Sequence, residues 1–213
     1  MANLYLVATP IGNLKDITLR ALEVLKGVDI ILAEDTRVTR KLLSHYGISK
    51  PILRYLHGKD YARFQDLALV TDAGTPGISD PGLKLIQDLS QKGFKIIPIP
   101  GPSSLSAIIS ASDIDLSEFL FLGFPPHKKG RQTFFKRVAA SEVPVIIFES
   151  PHRILKTLGE LSKVCGERYV NIGRELTKIY EEVFRGKLSE ALKYFKGERI
   201  RGEFTLILGA RDA

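Results

Sequence analysis

The chain contains very little of several residue types, and each shortage excludes a class of protein. Its 213 residues include one cysteine, Cys165, and no tryptophan. A single cysteine cannot form an intramolecular disulfide or a thiolate metal cluster, so a reducing cytoplasm is the expected compartment. No apolar run approaches the roughly 20 residues that a membrane-spanning helix needs. The first residues lead directly into a predicted strand without a basic segment, which is unlike a signal peptide.

Several sequence motifs of well-known sites are also missing. No G-x-G-x-x-G follows the first predicted strand, and there is no P-loop, H-E-x-x-H, paired C-x-x-C or G-x-S-x-G. The usual dinucleotide, phosphate and nucleophile sites are therefore not expected. The four histidines have no ligand-like spacing, and we expect no metal site.

The charge of the chain is distributed unevenly. The net charge is +7, with 31 Lys and Arg against 24 Asp and Glu. Residues 1–117 hold 13 basic and 12 acidic side chains, whereas residues 118–213 hold 18 and 12. The run HKKGRQTFFKR (127–137) contains no acid. Such a run is usually a solvated surface, but interleaved with two phenylalanines it could also contact the phosphates of a nucleic acid.

The apolar pattern predicts an α/β protein. Short apolar runs alternate with amphipathic segments along the chain, as in repeated βα units whose mostly parallel sheets are covered by helices. The pattern restarts near residues 113–117, where the charge also shifts. We therefore predict two α/β domains, residues 1–115 and 116–213.

Polar or glycine- and proline-rich loops follow six of the predicted strands. The most distinctive loop lies within LALVTDAGTPGISDPG (67–82), where an apolar strand ends at a carboxylate and a Gly-Thr-Pro turn. Each loop alone is typical of an ordinary βα turn. Because the carboxyl ends of parallel strands share one edge of a sheet, the six together predict a ligand site in each domain.

These loops, in this order, resemble the tetrapyrrole methylase superfamily, whose members use S-adenosylmethionine. The similarity is greatest to its ribosomal RNA branch, the small-subunit rRNA (cytidine-2′-O)-methyltransferases. Small-molecule members typically have a Gly-rich first loop and a Gly-Asp-Pro turn, where this chain reads TPIGN and AGTP. The matching segments are TPIGNLKDITLRAL (9–22), AEDTR (33–37), VTDAGTPGISDPG (70–82), PIPGPSS (98–104), FLGFPP (121–126), FESPHR (148–153), RELTK (174–178) and GEFTLILG (202–209).

The resemblance implies two α/β domains with S-adenosylmethionine in the cleft between them, and a homodimer. It also implies which residues bind the cofactor. Those of the first domain and the adjoining loop are Asp72, Ala73, Gly74, Thr75, Pro76, Ser103 and Ser104, and those of the second are Phe148, Gly173, Phe204 and Thr205.

The implied acceptor is a cytidine ribose 2′-hydroxyl of ribosomal RNA in the small subunit. A ribose hydroxyl is a poor nucleophile at neutral pH, so a general base could contribute to the rate. Glu149, next to Arg153, is the first candidate because it ends an apolar strand, and Asp35 is a second carboxylate at a strand end. The residues expected to bind RNA are Asn13, Arg37, Lys128, Lys129, Arg131, Arg137 and Lys178.

Two other functions fit the same pattern. One is a methyltransferase acting on a small tetrapyrrole-like substrate, which would require an apolar cleft of macrocycle size. The other is an RNA-binding or assembly protein that keeps the fold without catalysis. One segment departs from the family pattern, because YLHGKDYARFQD (55–66) is much shorter than the helical segment that such proteins usually place there.

Overall fold

Alternating strands and helices fold into two separate five-stranded sheets. The computed structural model describes residues 2–79 and 82–211. The chain divides into two units, Met1–Ser103 and Ser104–Ala213, each built on one sheet. Within the described residues, no helix is long and apolar enough to cross a membrane.

The first sheet is entirely parallel, with strand order β3-β2-β4-β1-β5. Two inner strands of the sheet, β2 and β4, are almost entirely buried, as expected when helices cover both faces. Helices α1 and α2 pack on one face, and α3 packs on the other. The elements are β1 (Asn3–Val7), α1 (Leu19–Gly27), β2 (Ile30–Ala33), α2 (Thr36–His45), β3 (Ile52–Arg54), β4 (Asp66–Val70), α3 (Leu83–Gln91) and β5 (Lys95–Ile99).

The second sheet is mixed, with strand order β6-β7-β10-β8-β9. Strands β6 and β7 pair in parallel, whereas β10 is antiparallel to both β7 and β8, and β9 is antiparallel to β8. Helices α5, α6 and α7 pack on one face. The elements are α4 (Ser104–Ser110), β6 (Leu120–Gly123), α5 (Arg131–Ala140), β7 (Val145–Glu149), α6 (Ile154–Cys165), β8 (Tyr169–Arg174), β9 (Glu182–Lys187), α7 (Leu188–Tyr194) and β10 (Phe204–Leu208).

The α/β class with two sheets is confirmed, with one difference in strand direction. A mostly parallel arrangement holds for the first sheet, but three of the four pairings in the second are antiparallel. The reason is that β9 follows β8 through a short connection without a helix and so reverses direction, whereas β10 follows α7 and keeps the direction of β9, which makes it antiparallel to both β7 and β8.

The boundary between the two units lies after Ser103, earlier in the chain than the predicted boundary at residue 115. Helix α4 and the turn after it belong to the second unit. The buried side chain of Asn171 on β8 accepts hydrogen bonds from Ser112 Oγ at 2.8 Å and from the Asp113 backbone N–H at 3.2 Å. Its amide also donates to Asp113 Oδ1 at 2.9 Å. A buried amide needs such partners, so this turn is held against β8.

The sequence predicts that Asp16 and Thr36 cap the first two helices and that Pro81 begins the third. The first two helices begin one or two residues away from these predicted caps. Thr18, not Asp16, caps α1 by accepting a hydrogen bond from Ala21 N at 3.1 Å. Asp35, not Thr36, caps α2 by accepting from Arg37 N at 2.8 Å. Both are typical N-cap residues, and each has the extended backbone conformation that an N-cap residue adopts. The predicted start of the third helix at Pro81 falls outside the described residues.

The short connection between β3 and β4 contains no helix and is organised around one tyrosine. Tyr61 is 1% exposed and packs among the apolar residues under α3. Its hydroxyl accepts a hydrogen bond from Leu56 N at 2.9 Å and donates to Arg54 O at 3.3 Å. A single buried side chain therefore holds this short segment against the sheet and α3.

We expect Tyr61→Phe to lower the free energy of unfolding by about 1–3 kcal/mol, because the part-buried Leu56 N–H would lose its acceptor. Urea unfolding measures the change. Tyr180→Phe is the matched control, since Tyr180 is 72% exposed and its loss of a hydroxyl should have almost no effect. Equal changes in the two variants would contradict this role of Tyr61.

Candidate functional site

Three loops at the carboxyl edge of the first sheet are joined by hydrogen bonds. Thr9, after β1, and Gly74, after β4, exchange two backbone hydrogen bonds of 2.9 and 3.0 Å. Thr9 Oγ1 also donates to Thr71 O at 3.2 Å, and Thr75 Oγ1 donates to Pro102 O at 3.1 Å. The loops after β1, β4 and β5 thus form one connected surface, as the parallel topology predicts.

Glycine is required at two points of this surface. Gly101 follows β5, and a Cβ placed there would lie 3.0 Å from the Cβ of Ala8. Gly74 has φ = +84°, a conformation that other L-residues rarely adopt, and a Cβ there would lie 3.4 Å from Ile11 Cγ2. The close approach of these loops therefore depends on the absence of side chains.

Asp72 and Ala73 project from this surface and are both exposed. Asp72 Oδ1 accepts a hydrogen bond from Asp35 N at 3.0 Å. Partial desolvation raises the pKa of Asp72 above its ordinary value, and the charge of Asp35 adds to the rise. Asp72 thus combines an exposed carboxylate with a raised pKa, which is common at functional sites.

Asp35 has the opposite electrostatic environment. Its carboxylate forms an ion pair with Arg37, with 2.6 Å between Oδ2 and Nη2, and accepts from the Arg37 N–H. The guanidinium of Arg37 holds the pKa of Asp35 well below its ordinary value of 3.8. A carboxylate with such a low pKa is a weak proton acceptor, so the structure argues against Asp35 as the general base.

The predicted cofactor residues of the second unit lie on two different faces of its sheet. Phe148, Thr205 and Gly173 are direct partners across β7, β10 and β8 and share the face opposite the three-helix core. A Cβ on Gly173 would lie 2.7 Å from Ile108 Cδ1, so α4 packs closely there. Phe204 is one residue away on the other face, 2% exposed and packed against Phe195 in the core.

Glu149 lies in the row of Phe204 and is completely enclosed, with 0% of its side chain exposed. Its Oε1 pairs with Arg153 Nη2 at 2.8 Å and accepts from Ser150 N at 2.7 Å. Its Oε2 accepts from Thr157 Oγ1 at 2.5 Å. Both oxygens are thus occupied by neighbours in the chain, which favours a positioning role over that of a base that meets RNA.

A second buried cation extends this network. Arg131, 6% exposed at the start of α5, donates from Nη2 to Thr157 Oγ1 at 2.8 Å and pairs with Glu160 Oε2 at 2.6 Å. Thr157 is therefore shared by Glu149 and Arg131. Arg131 was predicted to bind RNA from its place in a basic run, but the structure places its guanidinium inside the protein because α5 and α6 pack together there.

The other predicted RNA-binding residues divide into exposed and paired groups. Lys128, Lys129 and Arg137 are exposed. Lys178 contacts both Glu175 and Glu203, at 2.8 and 3.0 Å, which neutralises its charge. Asn13 accepts from Lys15 N at 3.1 Å in a short turn. The predicted cofactor residues Ser103 and Ser104 are half-buried, at the junction of the two units.

Sequence reasoning did not find Thr157 and Glu160, which complete the buried network. They lie eight and eleven residues after Glu149, on the face of α6 that meets α5. Helical spacing from Arg153 could have indicated Thr157, four residues on, but not its sharing with Arg131. Among residues 2–79 and 82–211, no group of three His, Cys, Asp or Glu side chains could hold a metal ion.

Comparison with known proteins identifies the family. A family model of the tetrapyrrole (corrin/porphyrin) methylases matches residues 3–192. The chain belongs to this family. Among curated relatives, the ribosomal RNA small subunit methyltransferase I of Thermotoga maritima is 41% identical over 222 aligned positions, covering 100% of both chains. The protein of the same name from Borrelia garinii is 46% identical over 96% of this chain and 97% of its own length.

Several solved structures share the fold of this chain at low sequence identity. A diphthine synthase is 14% identical with a TM-score of 0.73, covering 98% of this chain and 90% of that one. A cobalt precorrin-4 methyltransferase is 18% identical with a TM-score of 0.65, covering 97% and 94%. At these identities the likeness concerns the fold of this methylase family only.

We expect Asp72→Asn and Asp35→Asn to change stability in opposite directions at pH 7. A raised pKa means that folding disfavours ionised Asp72, so the Asp72→Asn substitution should raise the thermal midpoint. A lowered pKa means that folding favours ionised Asp35, so the Asp35→Asn substitution should lower the midpoint, although Asn is also a good N-cap.

Thermal unfolding at several pH values measures both effects. The deficit of Asp35→Asn should be present above pH 3.8 and disappear as the pH falls below it, because the stabilising charge is then lost. The gain of Asp72→Asn should disappear as the pH falls through the raised pKa. Midpoint shifts of the same sign at pH 7 would contradict the assignment.

Proposed function

We propose that this chain is an S-adenosylmethionine-dependent methyltransferase that modifies a cytidine ribose 2′-hydroxyl in small-subunit ribosomal RNA. The observation that carries the proposal is the likeness to curated rRNA small subunit methyltransferases I at 41–46% identity over nearly the whole chain. The motif AGTP, which replaces the Gly-Asp-Pro turn of small-molecule members, supports it.

The donor and acceptor groups at the first sheet edge fit S-adenosylmethionine. We propose that the carboxylate of Asp72 faces its cationic end or its ribose hydroxyls, and that Ala73 leaves room for it. Gly74, Thr75 and Pro76 would shape the loop beside it. S-adenosylmethionine supplies an electrophilic methyl group on a sulfonium, so the protein mainly has to position the acceptor oxygen in line.

The remaining predicted cofactor residues are proposed with different roles. Phe148, Thr205 and Gly173 form one row on the face of the second sheet against which α4 packs and are proposed contacts, as are Ser103 and Ser104. Phe204 would act through its backbone, because its ring is buried in the core. Glycine is needed at position 173, because the side chain of any larger residue would collide with Ile108.

Glu149 and Arg153 are proposed to position the substrate-binding loop instead of taking the proton. A carboxylate with 0% side-chain exposure cannot approach a ribose hydroxyl without breaking its three contacts. Each broken contact to a buried charge would be costly. Arg153 is held by this carboxylate and donates from Nη1 to Pro125 O at 2.9 Å, which fixes the loop after β6.

We further propose that Lys128, Lys129 and Arg137 contact RNA phosphates, because they are exposed in a run without acids. Arg37 and Lys178 are already paired with carboxylates and would contribute less. The proposed substrate is the ribosomal RNA or the small ribosomal subunit, and we propose a cytoplasmic location on the basis of that substrate. A homodimer is proposed from the family and would be measured by analytical ultracentrifugation.

Methyl mapping tests the proposed function. Purified protein is incubated with S-adenosylmethionine carrying a labelled methyl group and unmodified small ribosomal subunits, and the modified nucleotide is located by mass spectrometry. We expect one labelled cytidine with the methyl on its ribose. Label in a base, or in a small tetrapyrrole offered as substrate, would contradict the ribose 2′-hydroxyl as the acceptor. Absence of cofactor binding in calorimetry would favour a non-catalytic RNA-binding protein.

The role of Glu149 is tested by Glu149→Gln. We expect the free energy of unfolding to fall by about 3–5 kcal/mol, because Arg153 would keep a buried charge without a counter-charge. Single-turnover methylation at saturating subunits should fall by less than about tenfold, whereas loss of a general base would cost about 10²–10⁴-fold. Glu198→Gln is the control, since the side chains of Glu198 and its partner Arg201 are 77% and 74% exposed. A base-sized loss with unchanged stability would contradict the positioning role.

A further inference from the structure

Phe124 is a large aromatic side chain that the fold leaves half uncovered. It lies directly after β6 and is 48% exposed. Its ring packs against Phe148, with 5.5 Å between centroids and 63° between planes, and Phe148 also packs against Phe121 at 5.0 Å. Phe124 is thus the most exposed ring of a three-ring cluster, and its inner side packs against Phe148.

The backbone after Phe124 is held by two guanidinium groups, that of the half-buried Arg153 and that of the buried Arg131. Arg153 Nη1 donates to Pro125 O at 2.9 Å, and Arg131 Nη1 donates to Pro126 O at 3.0 Å. Each arginine is itself fixed by a carboxylate, Glu149 or Glu160. Two prolines also restrict the backbone, so the position of the Phe124 ring is determined before any ligand binds.

The residues that follow carry positive charge on an open surface. His127, Lys128, Lys129 and Gly130 are all exposed, and no acidic residue occurs between residues 127 and 137. A fixed aromatic ring beside exposed lysines is the combination that single-stranded nucleic acids bind, because bases stack on the ring while phosphates meet the lysines. The charge complements RNA and disfavours an apolar protein partner.

We propose that Phe124 is a base-stacking site for an unpaired nucleotide of the RNA substrate. The three-ring cluster supports the ring, and Arg153 and Arg131 act as positioning residues through the carbonyls of Pro125 and Pro126. This inference rests on the proposed function and adds to it a contact with a base, where the lysines contact only phosphates. Stacking on every base would give affinity without reading sequence.

The test compares Phe124→Leu with Phe124→Trp and Phe124→Tyr, using unmodified small ribosomal subunits and S-adenosylmethionine. We expect Phe124→Leu to lower kcat/KM for the subunit by about 5- to 150-fold, the range for loss of one stacked base. The Trp and Tyr variants should restore the wild-type value within about threefold. Phe119→Leu is the matched control, because Phe119 is 37% exposed and lies ahead of β6.

Salt dependence separates stacking from charge. The slope of log affinity against log salt should be unchanged in Phe124→Leu, whereas Lys128→Ala and Lys129→Ala should each reduce it by about 0.7. A calorimetric titration with S-adenosylmethionine alone should give the wild-type affinity for Phe124→Leu. Circular dichroism and urea unfolding check that each variant folds.

Three results would overturn the inference. They are an effect of Phe124→Leu no larger than that of Phe119→Leu, failure of Trp and Tyr to restore the rate, and a loss of cofactor affinity that accounts for the loss of rate. The last result would assign the ring to the adenine of the cofactor. If the wild-type protein neither binds nor methylates the subunit, the proposed function itself fails, and that outcome is visible before any variant is compared.

Discussion

A buried carboxylate is the constraint on which the second unit depends. Burying a charge is unfavourable unless every one of its oxygens finds a partner. Glu149 meets this condition with Arg153, Ser150 and Thr157, and Thr157 in turn receives Arg131. These partners come from a loop, from the start of α6 and from α5, so satisfying one charge fixes the relative places of a strand, two helices and the loop after β6. Replacing Arg153 or Thr157 would leave an oxygen of the buried carboxylate without a side-chain partner.

The edge of the first sheet is organised by a different kind of force. There the loops are joined by backbone pairing between Thr9 and Gly74, and close approach is possible only because Gly101 has no side chain. This leaves the carboxylate of Asp72 exposed, whereas that of Glu149 is enclosed. The chain therefore uses carboxylates at two strand ends for different purposes: one is available to a ligand, and the other holds its surroundings in place.

Much of the fold could be predicted from the sequence, because apolar strands such as β2 and β10 are short, continuous and bounded by turn residues. The candidate loops were also predictable, since strand ends in an α/β chain are places for ligands. What local pattern could not supply was long-range packing. Arg131 reads as one more surface cation until α6 covers it, and Phe204 reads as a neighbour of Thr205 until the pleat of β10 points the two to opposite faces.

The strand order of the first sheet has a consequence for how the chain acquires its structure during synthesis. Strand β1 leaves the ribosome before the other strands of this sheet, yet it pairs only with β4 and β5. Leu4 therefore has no strand partner until Leu67 and Ile96 have been synthesised. About ninety residues therefore have to leave the ribosome before β1 is paired on both sides. Until then its edges stay open to wrong partners. In the second unit, β8 and β9 are neighbours in sequence and can close early as a hairpin at one edge, whereas the central strand β10 is the last of the sheet's strands to be synthesised.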